Sequence, residues 1–379
     1  MYLENGIRNS CCGCKACASI CPVGAINIED DPEGFAYPII DSDKCIGCRK
    51  CERVCCFNKE EINKPLYVYA AYHNKADLRN RSSSGGIFYP LACVLISQGG
   101  AVAGASYGQD FRVVHETAES LSSVSRFMRS KYVQSDLGRV YKELEEFLSD
   151  GRAVLFSGTP CQVAAIKSYF GGRYSNLYLC EVLCYGVPSP KVFTEYLRSI
   201  ENKEKSRVKE INFKDKRYGW DYYTTCITLE NDKQICRFGG DAYAEYYHKR
   251  LSIRPSCYSC QFGTNNSYAD ISLGDFYTLS EYTDMKAPKN GISCVIIRSE
   301  KGKELFDMIK KVLVYKEIDA ILFSENEYRS GQQQEPKERA KFFETLNTKG
   351  FDACTVFLEQ RSLRKRIKRE LQSIRMRLR

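Results

Sequence analysis

The sequence is poor in histidine and has no long apolar run. No stretch reaches the roughly 18 consecutive apolar residues that a membrane-spanning helix needs, so we expect no transmembrane segment. The first residues, MYLENGIRNSCCGC, lack the apolar core of a secretion signal, which predicts a cytoplasmic protein. Only His73, His115 and His248 are available as general bases, and none lies in a recognisable nucleophile–base motif.

Net positive charge is also scarce outside one segment. The formal net charge of the 379-residue chain is +9, yet residues 361–379 alone hold nine Lys/Arg and one Glu. The rest of the chain is therefore close to neutral. A basic terminal segment, rather than a basic protein, is what needs explaining, and we expect no nucleic-acid partner.

The basic segment has a helical pattern. Its apolar residues are spaced four, four, three and four apart, which places them on one stripe of a helix. The pattern predicts a basic amphipathic helix that attaches the protein peripherally to an anionic membrane surface, at the inner face of the membrane. Packing on the body, binding to an acidic partner and a solvated terminus are the alternatives. The stripe consists of Leu363, Ile367, Leu371, Ile374 and Leu378.

Cysteine, by contrast, is abundant, and the chain has 20 of them. Disulfides are typical of oxidising compartments, whereas clustered cysteines in a cytoplasmic chain more often bind metal ions or iron–sulfur clusters. Eight of them form two copies of the spacing C-x2-C-x2-C-x3-C. This is the bacterial ferredoxin pattern for two [4Fe–4S] clusters, in which the fourth cysteine of each run binds the other cluster.

The crossing of the two runs fixes the predicted ligand sets. Two zinc sites are the alternative to two clusters. Cys12 and Cys56 are spare thiols beside the clusters and are not expected to be ligands. The first cluster is predicted to bind Cys11, Cys14, Cys17 and Cys55, and the second Cys45, Cys48, Cys51 and Cys21.

After Pro65 the chain alternates between predicted strands and helices. "YVYAAYH", "AVAGASY", "RAVLFSG" and "NLYLCEVLCYG" read as strands, and "LGRVYKELEEFLSDG", "TPCQVAAIKSYFGG" and "SPKVFTEYLRSI" as helices. The fold class is therefore α/β or α+β, with a ferredoxin-like domain in front of a mixed body. Predicted boundaries are 1–62 for the ferredoxin domain, 63–150 and 151–320 for the two parts of the body, and 321–379 for a C-terminal extension.

Two loops of the body have residues suited to binding a ligand or a metal. "RSSSGG", from Arg81 to Gly86, precedes a helix and is suited to presenting backbone N–H groups to a phosphate or a flavin; a plain connector is the alternative. "SGTPCQ" places Cys161 in the first turn of a helix, with Thr159 as its N-cap. The helix dipole there favours thiolate, as either a metal ligand or a nucleophile, and the lack of a paired histidine favours the ligand.

Cys257 and Cys260 form an isolated pair, and two further cysteines are predicted to complete a metal site with them. Cys161 and Cys184 each follow a predicted strand, and adjacent strand ends would bring the two sulfurs together. Four thiolates suit a third [4Fe–4S] cluster, and zinc is the alternative.

Five motifs of the body occur in the order seen in one family. They are "SSSGG", "SKYVQSD", "VLFSGTPCQVAAIK", "CYGVPSPKVFTEYL" and "SCYSCQF…ADISLGDFY". The chain resembles the coenzyme F-420 hydrogenase/dehydrogenase beta subunit family, in the form with a fused dicluster ferredoxin. The resemblance implies that the body binds FAD and a [4Fe–4S] cluster held by Cys161, Cys184, Cys257 and Cys260. The implied flavin-binding residues are Ser84, Gly85, Gly86, Lys131, Tyr132, Ser135 and Thr159.

The predicted function is that of an iron–sulfur flavoprotein oxidoreductase. Clusters carry single electrons, whereas organic carriers exchange two, and a flavin can connect them. Lys131 is the candidate cation near the reduced flavin, with a solvated surface lysine as the alternative. The expected partner is a small-molecule redox substrate or carrier. The alternative functions are an electron-transfer subunit that serves a ferredoxin or a partner redox subunit, and a non-enzymatic iron–sulfur sensor.

Overall fold

The structure is a computed structural model that describes residues 1–59, 64–239, 241–262, 267–323 and 333–358. The predicted amphipathic helix of residues 361–379 lies outside the described residues. In chain order the strands are β1 (Ile26–Asp30), β2 (Ala36–Ile40), β3 (Tyr67–His73), β4 (Ala101–Tyr107), β5 (Val113–Ala118), β6 (Val154–Gly158), β7 (Leu177–Val182), β8 (Val208–Asn212), β9 (Thr224–Leu229), β10 (Gln234–Phe238), β11 (Ile271–Asp275), β12 (Ser293–Ile297) and β13 (Leu313–Ile318).

The α-helices of the described residues are short in the N-terminal part and longer in the body. In chain order they are α1 (Tyr2–Asn5), α2 (Ala16–Ser19), α3 (Lys50–Val54), α4 (Ala76–Asn80), α5 (Phe88–Ser97), α6 (Leu121–Val124), α7 (Val140–Ser149), α8 (Pro160–Phe170), α9 (Pro190–Glu204), α10 (Ala242–His248), α11 (Glu300–Ile309) and α12 (Arg339–Lys349).

Residues 1–59 form the ferredoxin-like part, which we call the cap. Its strands β1 and β2 pair antiparallel, from Ile26 opposite Ile40 to Asp30 opposite Ala36. Each cysteine run passes directly into a short helix, α2 or α3. The two helices contact each other, which brings the two runs together on the same side of the hairpin.

The body is built around one eight-stranded mixed sheet. Its strand order is β13-β3-β12-β11-β7-β6-β4-β5. The neighbouring pairs β11–β7, β7–β6 and β6–β4 are parallel, and the outer pairs are antiparallel. The carboxyl ends of the four parallel strands therefore open at one edge, the usual position of a ligand site in an open α/β sheet.

The predicted body elements are confirmed, and their local causes are visible. Helix α8 begins at Pro160, and Thr159 caps it in a reciprocal capping box with Gln162. Helix α7 buries Val140, Leu144 and Leu148 on one face, as the apolar spacing predicts. The strand order, in contrast, was not predicted, since it depends on pairings between distant segments.

A second sheet of three antiparallel strands has the order β10-β9-β8. The turn between β9 and β10 contains Asn231 and Asp232. Cys226 and Cys236 stand opposite each other on these strands and form a disulfide. Cys226 is also buried, 7% exposed, so it contributes to the core as well as to the disulfide.

Cap and body share a hydrophobic core. The contacting side chains of the cap are small and lie close to its cysteine runs, so the runs are packed directly against helices α7 and α8. This core joins Cys12, Ala16, Val54 and Cys56 of the cap to Leu144, Phe156, Val163 and Ala164 of the body.

Candidate electron-transfer site

Two small cavities in the cap are lined by cysteines. Each has a volume of about 30 Å³. The structure thus groups the eight cysteines in the crossed arrangement that the spacing predicts, with the fourth cysteine of each run beside the first three of the other. The inner cavity is lined by Cys11, Cys14, Cys17 and Cys55, together with Cys12 and Cys56, and the outer cavity by Cys21, Cys45, Cys48 and Cys51.

The backbone turns around both cavities so that its amides face sulfur. Gly13 and Gly47, at the corresponding position of each run, have φ values of 71° and 65°, which glycine adopts readily. The Gly13 N–H donates to the sulfur of Cys11 at 3.3 Å, and the Ala25 N–H donates to that of Cys21 at 3.3 Å. Such donors stabilise thiolate and cluster sulfur.

The spare thiols Cys12 and Cys56 are buried in the wall of the inner cavity, on the side of the body. Their sulfurs and that of Cys14 all lie within 4.8 Å of one another. The Cys56 sulfur also faces the carbonyl of Cys161 at 4.0 Å. The spare thiols therefore occupy the short space between the cap cysteines and the body cysteines.

The four predicted body cysteines come together beyond these spare thiols. Burial raises the pKa of the Cys184 thiol well above its usual range, and the neighbouring thiols of Cys257, Cys161 and Cys260 raise it further. Burial also raises the pKa of Cys257 to about 11. Four protonated thiols gain no electrostatic stabilisation from being buried side by side. A bound metal cluster would instead compensate the charge of four thiolates.

Cys161 differs from the other three. The pKa of Cys161 is lowered, mainly by a hydrogen bond from Cys12, although burial alone would raise it. The hydroxyl of Thr159, 3.3 Å from the sulfur, lowers the pKa further. The start of α8 also places the thiol at the positive end of an eleven-residue helix. Cys161 is thus predisposed to the thiolate form that a metal ligand requires.

A cleft of about 280 Å³ opens at the carboxyl edge of the parallel strands, next to these cysteines. Cys184 lines the cleft, which places the body cysteines directly behind its wall. Gly85 lies outside it. Of the predicted flavin-binding residues, Ser84, Gly86, Lys131, Tyr132, Ser135 and Thr159 line the cleft.

The Ser/Gly loop forms one wall and is held by the body on both sides. A Cβ atom at Gly85 would lie 2.5 Å from the carbonyl of Ala71. The N–H of Gly85 donates to Ser293 Oγ at 2.9 Å. The ammonium of Lys216 donates to the carbonyls of Arg79 and Ser84 at 2.6 and 2.7 Å. Gly85 is therefore needed for packing, and the loop is more rigid than a plain connector.

Lys131 is part of the cleft wall. Its ammonium donates to the carbonyls of Arg126, Met128 and Arg129 at 2.6, 2.9 and 3.3 Å. Desolvation lowers the pKa of Lys131 to about 7. Lys131 is thus not a solvated surface lysine; it is a half-buried amino group that three carbonyls fix beside the cleft.

His115 is a cleft residue that sequence reasoning missed. It lies on β5, 7% exposed, with Nε2 3.0 Å from the carbonyl of Ser157. Burial lowers the pKa of His115 to about 4, so the ring is neutral at pH 7. Among the described residues Nδ1 has no hydrogen-bond partner, which leaves a buried acceptor in the wall of the cleft.

A charged cluster at the rim was also missed. Lys214 pairs with Asp275, which lines the cleft, and donates to the hydroxyl of Tyr277 at 2.7 Å. Trp220 donates to Asp275 at 2.7 Å, and its ring stacks on Tyr277 with a centroid distance of 4.8 Å. The motif containing Asp275 marked this position in the sequence, but Lys214 reaches it from a distant segment.

A mixed sheet with a cleft at its carboxyl edge, packed against a part that holds paired cysteine cavities, is the arrangement expected of a dicluster domain joined to a second domain. Residues 10–59 match the family model of the 4Fe-4S dicluster domain. Residues 151–320 match the model for the C terminus of the beta subunit of coenzyme F420 hydrogenase/dehydrogenase. The family predicted from the sequence motifs is thus confirmed: the chain joins a 4Fe–4S dicluster domain to the C-terminal domain of this beta subunit family.

Two relatives cover most of the chain. A coenzyme F420-dependent sulfite reductase of Methanocaldococcus jannaschii is 24% identical over 309 residues, which are 79% of this chain and 46% of that protein. A subunit of the F(420)H(2) dehydrogenase of Methanosarcina mazei is 24% identical over 322 residues, or 79% of this chain and 82% of the relative. The chain therefore spans about half the length of the first relative and most of the second.

The cap has separate relatives. One component of the anaerobic dimethyl sulfoxide reductase of Escherichia coli is 39% identical over 57 residues, which are 14% of this chain and 26% of that protein. Among solved structures, a polypeptide of the F420-reducing [NiFe] hydrogenase complex from Methanosarcina barkeri aligns with a TM-score of 0.49 and 17% identity. The alignment covers 80% of this chain and 95% of that one.

Proposed function

We propose that the chain is an iron–sulfur flavoprotein oxidoreductase with three [4Fe–4S] clusters and one FAD. The observation that carries this proposal is the order of the sites. The outer cavity, the inner cavity, the body cysteines and the cleft follow one another, and the spare thiols Cys12 and Cys56 occupy the space between cap and body. Such an order suits stepwise movement of single electrons towards a two-electron cofactor.

The ligand assignment follows from the grouping of the sulfurs. Cys161 enters the body set as the thiol most inclined to ionise, whereas Cys184 and Cys257 need the metal to stabilise their thiolates. Two clusters belong to the cap cavities. The proposed ligands of the third are Cys161, Cys184, Cys257 and Cys260.

The cleft residues suit a flavin. The unpaired Nδ1 of His115 is a buried acceptor for a hydroxyl or ring N–H of the ligand. The hydroxyl of Thr159 and the N-terminus of α8 lie beside Cys184 in the wall. Bound there, FAD would exchange electron pairs with an organic substrate and single electrons with the clusters. Lys131 would supply an amino group, and the Lys214–Asp275 pair fixed charges, around it.

The substrate is a small-molecule two-electron carrier. Two relatives are named for coenzyme F420, so a deazaflavin is the first carrier to test. A second candidate function is an electron-transfer subunit, because the relative that the chain spans most fully is itself named as a subunit. A requirement for a second polypeptide before any carrier is reduced would favour this candidate over a complete enzyme.

The direct test is the cofactor content of the anaerobically prepared chain. Three cubanes and one flavin correspond to about twelve iron atoms and one FAD per chain. About eight iron atoms with tightly bound zinc would contradict the third cluster. Clusters without flavin would instead support a non-enzymatic sensor.

We also propose that residues 361–379 attach the protein to anionic membranes. Each Lys or Arg near an anionic surface contributes about 1 kcal/mol, so part of this set would give salt-sensitive binding. Within the described residues no helix combines the length and apolar character needed to cross a membrane. Co-sedimentation with anionic vesicles, with and without residues 361–379, tests the proposal. A full-length chain that ignores such vesicles at low salt would contradict it.

A further inference from the structure

Arg254 is a completely buried arginine at the junction of cap and body, with an exposed fraction of 0%. It stands three residues before Cys257. Its side chain crosses into the cap, where Nε donates to the carbonyl of Cys11 at 2.7 Å and one Nη donates to that of Ala36 at 2.9 Å. The same Nη lies 3.6 Å from the Cys11 sulfur. A body residue thus contacts a predicted ligand of the inner cavity directly.

The backbone of Arg254 fixes the body cysteines as well. Its N–H donates to the carbonyl of Val187, three residues after Cys184, at 3.0 Å. Its own carbonyl accepts the N–H of Cys257 at 2.9 Å. One residue therefore positions two segments of the body set through its main chain and one ligand of the inner cavity through its side chain.

The cap is shaped to admit this guanidinium. A Cβ atom at Gly13 would lie 2.7 Å from Nη1 of Arg254 and 2.7 Å from the side-chain nitrogen of Gln134. A side chain at position 13 would therefore have to displace the guanidinium or the amide, and the positive φ of Gly13 also favours glycine. The guanidinium also lies over the ring of Tyr37, 4.3 Å from its centroid.

The charge of Arg254 has no carboxylate partner among the described residues. Its hydrogen-bond acceptors are two carbonyls, the Gln134 amide oxygen at 3.1 Å and the Cys11 sulfur. Arg339, the other fully buried arginine, pairs instead with Glu33 at 2.7 Å. A buried cation without an anion is costly. The missing anion is supplied once a cluster with four thiolates fills the inner cavity.

We propose that Arg254 is a positioning residue that raises the reduction potential of the inner cluster. This inference rests on the proposed function. A nearby fixed positive charge and an N–H···S contact stabilise the reduced, more negative state of a cluster over the oxidised state. Because the guanidinium stays protonated, the electron can arrive from the outer cluster without a coupled proton.

The test is a redox titration of the full reconstituted chain, followed by electron paramagnetic resonance. The inner wave is identified as the one lost in Cys17→Ser. In Arg254→Gln we expect the ratio of reduced to oxidised inner cluster to fall at least tenfold at a fixed potential. A tenfold fall corresponds to a 59 mV downward shift of the reduction potential for one electron. Arg254→Lys keeps the charge and should recover most of the shift. The wild-type inner potential should not change between pH 6 and 8.

Arg250→Gln is the matched control. Arg250 is also buried, 6% exposed, and lies four residues earlier over the ring of Tyr185 at 4.5 Å. Its two terminal nitrogens have no hydrogen-bond partner among the described residues, so its side chain does not hold the cap. The substitution should leave the inner wave within threefold of its wild-type ratio.

An unchanged inner wave in Arg254→Gln with full iron content overturns the inference. So does an equal fall in Arg254→Lys, since the charge would then not be the cause. If Arg254→Gln does not assemble, Arg254→Met, which removes the charge and keeps an unbranched side chain, gives the same test: its inner wave should fall at least tenfold, and an unchanged wave contradicts the proposal. If the wild-type chain shows no redox wave that Cys17→Ser removes, the inner cluster is absent, and the proposed function itself is overturned.

Discussion

The two cysteine cavities of the cap share one sequence pattern but have different surroundings. Around the inner cavity, body side chains reach the cysteine loop: Tyr141 donates to the carbonyl of Cys14 at 3.0 Å, and Gln134 to that of Cys12 at 2.8 Å. The outer cavity is lined only by residues between 21 and 51. There Cys45 is exposed, and the side chain of Ile46 is 65% exposed.

This difference would give the two proposed clusters different electron partners. An exposed cluster can exchange electrons with a soluble donor or a partner protein, whereas a buried cluster exchanges them with its neighbours. The inner cavity has the body cysteines as its neighbours, through Cys12, Cys56 and Arg254. We therefore propose that the same local motif serves electron entry in the outer copy and relay in the inner copy, because the body covers the inner one.

The largest expected effect comes from breaking the relay beyond the inner cavity. Cys161→Ser should remove the body cluster, about four of twelve iron atoms, and leave both cap clusters in place. Reduction of the flavin by a donor that enters at the cap should fall by at least about 100-fold, because removal of one centre leaves a long gap. Iron analysis and stopped-flow absorbance of the flavin measure the two effects.

Cys93→Ser is the control for that variant. Cys93 is a partly buried cysteine of α5, outside both cavities and the body set, and its replacement should change neither iron content nor flavin reduction. If Cys161→Ser keeps all its iron but loses activity, Cys161 is a redox-active or nucleophilic thiol instead of a ligand.

The next effect concerns the attachment that keeps the inner cavity closed. Glu33, in the cap hairpin, accepts from Arg339 of α12 at 2.7 Å and also pairs with Arg8 at 2.5 Å. Glu33→Gln removes the nearest carboxylate from the buried Arg339, which keeps the more distant Glu335 at 3.4 Å, and should lower the free energy of unfolding by about 3 kcal/mol. Asp352→Asn removes an exposed pair with Lys203 and should cost no more than about 1 kcal/mol. Urea unfolding of the apo-protein compares them.

The same pair gives a pH dependence. Burial alone would raise the pKa of Glu33, but the hydrogen bonds and charges of Arg339 and Arg8 outweigh it and hold the pKa below its usual value. The stabilisation is therefore fully present above the unfolded pKa of about 4.3 and is lost as the pH falls through the lower folded value. Glu33→Gln should remove this part of the acid sensitivity, and an unchanged acid profile would contradict the clamp.

The cap and the body also differ in how far their sites can be predicted from sequence. The cap ligands are local: three cysteines of each run are spaced two residues apart, so the spacing itself defines the crossed cavities. The cleft loops were predicted from motifs, and six of the seven proposed flavin-binding residues line it. His115, Lys214 and Arg254 were not predicted, since each reaches its site through the strand order or the docking of the cap, which no local pattern encodes.

The smallest expected effect compares the two cavities directly. If the outer cluster is the exposed entry site, an iron chelator should remove its iron first, since no body contact has to open. Around the inner cavity, release requires the contacts of Tyr141, Gln134 and Arg254 to separate. A local opening that costs about 1.4 kcal/mol more slows iron release about tenfold, so two phases should appear in the loss of absorbance under anaerobic chelation.

Glu33→Gln loosens the cap and should bring the slow phase closer to the fast one, whereas Asp352→Asn should leave both unchanged. A single phase in the wild-type chain would show that both clusters are equally protected, and the outer cavity would then have no special claim to be the entry site.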